Sequence, residues 1–161
     1  MYKYKILCYI VSYKHFLNIK YLFDTSKFNL TIIYERDLCL IDKKKIIDQN
    51  LIIIEYDNNI SINNLIIKNN YDYVFLSTTQ LRPLPIKLIS ESFKNKILSF
   101  SVQEVNQMFL HENRINNYLI DVNQLHVTSN FEKNEYLKLG YDASNIHVNG
   151  WPFQEIKKKS R

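Results

Sequence analysis

Seven short apolar runs, at 4–11, 30–34, 51–56, 73–77, 97–102, 125–129 and 146–148, constrain this chain more than any other feature. Each has strand length and is nearly continuous in Ile, Val, Leu, Phe and Tyr. Strands covered on both faces read this way, whereas a sheet wet on one face alternates apolar with polar residues. Segments with helical spacing lie between the runs. Phe16, Ile19, Leu22 and Phe23 make one stripe, and Val105, Met108, Phe109 and Leu119 outline another. Segments 61–70 and 84–94 fit helices less cleanly, although Pro83 and Pro85 are placed to open the second of them. Alternation of strand and helix predicts right-handed βαβ units and a doubly wound, Rossmann-like α/β fold with a parallel sheet of six or seven strands. A length of 161 residues fits one domain, 1–161.

Glycine narrows the function. Only Gly140 and Gly150 occur, so neither a GxGxxG dinucleotide turn nor a GxxxxGK[ST] phosphate loop can form early in the chain. Lysine and arginine number 21 against 16 acids, a net charge of +5. The basic residues are mostly scattered lysines rather than an arginine stripe interleaved with aromatics, so a nucleic-acid partner is not expected. The lysines could instead give a peripheral contact with an anionic membrane. Cys8 and Cys39 have no CxxC spacing, which argues against a zinc site and suits a reduced, cytoplasmic compartment. The N-terminus reads as a first strand and not as a signal peptide or membrane span. No metal or cofactor is expected.

In open α/β sheets, ligands bind beyond the carboxyl ends of the strands. Position alone therefore selects 12–15, 35–37, 77–80, 103–104, 129–130 and 150–151. Within these, Lys14, Gln80, Gln103, Ser129, Asn130 and Gly150 are candidate substrate-binding residues, and His15 and Glu104 are candidate catalytic ones. His111, seven residues beyond Glu104, joins the substrate-binding group. A carboxylate such as Glu104 needs a raised pKa, hence partial burial, to take a hydroxyl proton near neutral pH. His126 and His147 fall inside strand runs and read as packing residues. Ser129 and Glu132 have capping-box spacing, and Gly140 suits the left-handed residue that closes the helix. That pattern is helix punctuation, or else a helix start whose N–H groups face a phosphate or sugar hydroxyl.

The segment from Leu125 to Pro152 resembles the end of the N-terminal domain in GT-B glycosyltransferases, most of all the CDP-glycerol glycerophosphotransferase and capsule or teichoic-acid polymerase group. In that group a strand ending in serine leads into a helix, a Gly-aromatic pair and a strand ending in Gly-x-Pro. Here these are Val127 to Ser129, the helix from about Phe131, Gly140 with Tyr141, and Ile146 to Pro152. UDP-sugar 2-epimerases share the same grammar. The resemblance implies one GT-B half: an acceptor-side domain for a surface polysaccharide or teichoic-acid-like polymer. It also implies a glycan acceptor, with a nucleotide-sugar or CDP-glycerol donor held by a second domain. The alternatives are a stand-alone binding or regulatory module and the front half of a UDP-sugar 2-epimerase. Members commonly place a His-Gly pair after the strand matching 97–102, where this chain has Gln103 and Glu104. The resemblance implies that Glu104 replaces that histidine as the base, or that the acceptor chemistry differs, or that the site is inactive; with the donor held by a second domain, it also implies an isolated chain without turnover.

Overall fold

The computed structural model describes residues 3–36, 51–78, 82–102 and 121–150. Its strands are β1 (Tyr4–Tyr9), β2 (Phe28–Glu35), β3 (Ile52–Tyr56), β4 (Tyr73–Leu76), β5 (Leu98–Val102), β6 (Gln124–Val127) and β7 (Ile146–Val148). They form one sheet in the order β3-β2-β1-β4-β5-β6-β7, and every adjacent pair is parallel. The expected doubly wound sheet is present, with all seven runs as strands. The chain steps outward from β1 to β3 and then returns to the far side of β1 to lay down β4. The topological switch point is thus between β1 and β4.

Among the described residues, four helices accompany the strands: α1 (Tyr13–Leu22), α2 (Ile62–Asn69), α3 (Pro83–Lys94) and α4 (Asn130–Lys138). Their starts are chemically distinct. Ser12 caps α1 by accepting from the His15 N–H at 3.3 Å, and Ser61 caps α2 by accepting from Asn64 at 3.3 Å. α3 has no side-chain cap, and prolines occupy its first and third positions. Asn70 closes α2 in the left-handed region at φ 49°, a conformation that asparagine tolerates. Gly140 closes α4 at φ +90°; nothing lies where a Cβ would go, so backbone conformation alone calls for glycine there.

Alternation along β1 divides the core. Ile6, Cys8 and Ile10 face α1, where they pack with Phe16, Ile19, Ile32 and Phe75. Leu7 and Tyr9 face the other way, toward Ile62 and Ile66 of α2, Leu84 and Leu88 of α3, and Tyr136 of α4. On the α1 side, Phe23 meets Phe75 edge-on at 5.5 Å and Phe100 at 6.1 Å. Such aromatic pairs add about 0.5–1.5 kcal/mol beyond the area they bury. No helix among the described residues is long and apolar enough to cross a membrane.

The second helical stripe, Cys39, and Trp151 to Phe153 lie outside the described residues. His126 and His147 depart from expectation. They are register partners on β6 and β7, their rings stack with centroids 5.2 Å apart, and His147 is exposed. Leu125, Val127 and Ile146 take the fully covered face, so alternation turns both histidines to the opposite face, near the sheet edge.

Candidate functional site

The carboxyl ends of β1, β2 and β4 bring polar groups together over the switch point. β1 ends at Tyr9, and the chain turns through Ser12 into α1, which sets Lys14 and His15 in that helix's first turn. β4 ends at Leu76, and Ser77 follows, tied to β1 by its N–H donating to the Tyr9 carbonyl at 3.0 Å. The Ser77 hydroxyl and His15 Nδ1 lie 2.9 Å apart. This pair can donate or accept according to the imidazole tautomer. Thr78 is also buried beside Ser77.

The first turn of α1 contains no acid, and its N–H groups are supported by one serine cap. Lys14 projects from the same turn and is exposed. A helix start with positive dipole, a lysine and a histidine suits a negatively charged group.

A second network lies beside it. The buried Tyr9 hydroxyl donates to Glu35 Oε2 at 2.9 Å, and Arg82 Nη1 approaches the same oxygen at 3.2 Å. Burial first, then the Glu35 charge, raises the Tyr9 phenol pKa, so it stays protonated as a donor. Arg36, one residue beyond β2, reaches Glu55 at 3.0 Å and Asp57 at 3.4 Å. Glu35, Arg36, Tyr56, Asp57, Asn58 and Arg82 surround a cavity of about 290 Å³ that Pro83 completes.

Of the sequence-selected residues, the structure brings His15 to the switch point, with Lys14 in the same helical turn. Ser129 and Asn130 stand at the start of α4, beyond β6, and Gly150 follows β7 at φ +74°. β4 and β5 separate Ser129 and Asn130 from His15, and β6 intervenes as well before Gly150. Gln80, Gln103, Glu104 and His111 lie outside the described residues. Ser129 accepts from the Glu132 N–H at 3.3 Å, as its spacing requires. Glu132 Oε2 accepts from the Thr128 N–H and hydroxyl, both at 2.6 Å. Glu132 Oε1 is buried without a hydrogen-bond partner.

Tyr9 and Arg82 are absent from the positions selected by sequence, whereas Glu35 lies in the selected stretch 35–37. Tyr9 was hidden inside an apolar run. A usable signal was Glu35 at the end of one run, with Arg82 immediately before the helix-opening Pro83. Burial pushes the Cys8 thiol pKa up, which leaves it an inert packing group. Among the described residues, no three His, Cys, Asp or Glu side chains cluster as a metal site would require.

No protein-family model matches the sequence, and no curated protein matches it. Solved structures do. One is a UDP-N-acetylglucosamine 2-epimerase from Rickettsia bellii, 10% identical, with a TM-score of 0.68 over 98% of this chain and 47% of that one. Another is a UDP-GlcNAc 2-epimerase from Neisseria meningitidis bound to UDP-GlcNAc, 10% identical, with a TM-score of 0.58 over 98% of this chain and 53% of that one. The chain spans about half the length of these structures. At such identity the likeness speaks for the fold: the chain is a GT-B-like, Rossmann-type α/β domain.

Proposed function

We propose that residues 1–161 form one domain of a two-domain nucleotide-sugar enzyme, with a UDP-sugar 2-epimerase as the leading candidate. The supporting observation is the fold likeness to two 2-epimerases over 98% of the chain, combined with polar groups gathered at the switch point. In this account the α1 start, with Lys14 and His15, faces the phosphate end of the ligand. The Ser77–His15 pair meets a sugar hydroxyl and can take or give its proton. Glu104, two residues past β5, is retained as the proposed base. The uridine half is assigned to a second domain.

The acceptor-side domain of a glycerophosphotransferase or polysaccharide-forming glycosyltransferase is the second reading. It is favoured by the serine-capped α4, the left-handed Gly140 beside Tyr141, and Gly150 after β7. A CDP-glycerol donor, a glycan acceptor and membrane contact through lysines belong to that reading.

Calorimetric titration with UDP-N-acetylglucosamine and with CDP-glycerol separates the two. Binding of the UDP-sugar without turnover, weakened roughly tenfold by Lys14→Ala, the size of one charge-assisted contact, is the expected outcome. Binding of CDP-glycerol alone would transfer the assignment to the second reading.

A further inference from the structure

We infer that the cavity at the carboxyl ends of β2 and β3 is a subsite for an uncharged, hydroxyl-rich ligand, a sugar ring, and that it excludes phosphate. The cavity measures about 290 Å³, at the lower end of the roughly 300–1,000 Å³ usual for small-molecule sites.

Its charges are matched in place. Arg36 sits against Glu55 and Asp57, and Arg82 against Glu35. The charged groups lining the space are balanced, Arg36 and Arg82 against Glu35 and Asp57, so no net positive charge is left to draw in an anion. An incoming phosphate would have to displace a carboxylate from each arginine.

The adjoining helix start withholds the other usual source of anion affinity. Backbone N–H groups at a helix start are what cradle phosphates. Among the first three residues of α3, Pro83 and Pro85 have no N–H, and Leu84 alone keeps one. An anion finds few donors here, although the cavity touches a helix start.

Hydroxyl groups have the opposite preference. Each can donate to a carboxylate and accept from a guanidinium or an amide, so fixed carboxylate–arginine pairs and Asn58 offer both partners side by side. The Tyr56 ring supplies an apolar wall, and Lys87 Nζ donates to its hydroxyl at 3.1 Å, which holds the ring in position.

This assignment rests on charge and donor count and not on the two-domain proposal, so the two fail separately. The experiment is amide-detected NMR of the whole chain, titrated in turn with N-acetylglucosamine, inorganic phosphate and UDP. The sugar is expected to shift the Arg36, Asp57 and Asn58 amides, while phosphate leaves them unmoved. Asp57→Asn keeps the turn's side-chain acceptor for the Asn59 N–H and should weaken the sugar response roughly tenfold, the worth of one hydrogen bond to a charged group. Arg36→Gln gives a second variant, and the amide spectrum itself reports whether each still folds. Phosphate or UDP shifts at these amides, or a sugar response confined to Lys14 and His15, would overturn the assignment. So would the absence of any response. A UDP response at Lys14 and His15 with no sugar response at Asp57 would spare the two-domain proposal and end this one.

Discussion

Two helix starts share the carboxyl edge of the sheet, and they are built for opposite ligands. α1 opens with a serine cap, intact N–H groups, a lysine, a histidine and no acid. α3 opens with an uncapped arginine already paired to Glu35 and with prolines that remove two of its first three N–H groups. Both occupy the same place in the repeating βαβ pattern, so fold position alone does not decide what a strand end binds. Local donor count and charge balance do. A single edge can therefore receive the charged and the uncharged parts of one ligand at neighbouring points.

The two starts are joined through Tyr9, whose hydroxyl reaches Glu35 from β1. The largest effect is expected on cutting this link. Tyr9→Phe should lower stability by about 2 kcal/mol in urea unfolding, the usual worth of a hydrogen bond to a charged acceptor. A change near zero would show that the two starts are independent.

Capping distinguishes them next. Ser12→Ala should cost about 1 kcal/mol, because the α1 start loses its side-chain acceptor. Arg82→Ala has no cap bond to lose, only a partly exposed ion pair, and should cost less than about 1 kcal/mol. Equal costs in the same unfolding series would erase the contrast.

The smallest expected effect lies away from both starts and serves as a control. Burial, then the neighbouring His147, holds the His126 pKa below its ordinary 6.5. The folded chain thus binds this proton less readily than the unfolded chain. Stability should fall slightly as pH drops from about 6.5 toward the lowered value, and His126→Gln should flatten that slope. The α1–α3 contrast should persist in this variant. A slope of the opposite sign would mean that His126 gains a partner on protonation.

Much of the fold was legible because its strands are buried on both faces. β2 runs two residues earlier and one later than its apolar run, since Asn29 and Glu35 are polar residues at strand ends. α4 has almost no apolar stripe, and its Ser129 cap and Gly140 stop made it readable instead. α2 was blurred by its many asparagines, yet Ser61 and Asn70 bound it cleanly. The site was less legible. His15 could be placed from its position after the first run, but its Ser77 partner is 62 residues away and only strand order brings the two together. The Tyr9–Glu35–Arg82 network likewise depends on two strand ends and a helix start, which spacing along one sequence does not reveal.

The most direct test is a crystal structure of the chain soaked with UDP-N-acetylglucosamine. The account predicts phosphate density over the start of α1, within reach of Lys14 and His15, and the sugar turned toward Ser77. Density at the amino ends of the strands, or phosphate seated at the α3 start between Arg36 and Arg82, would contradict it.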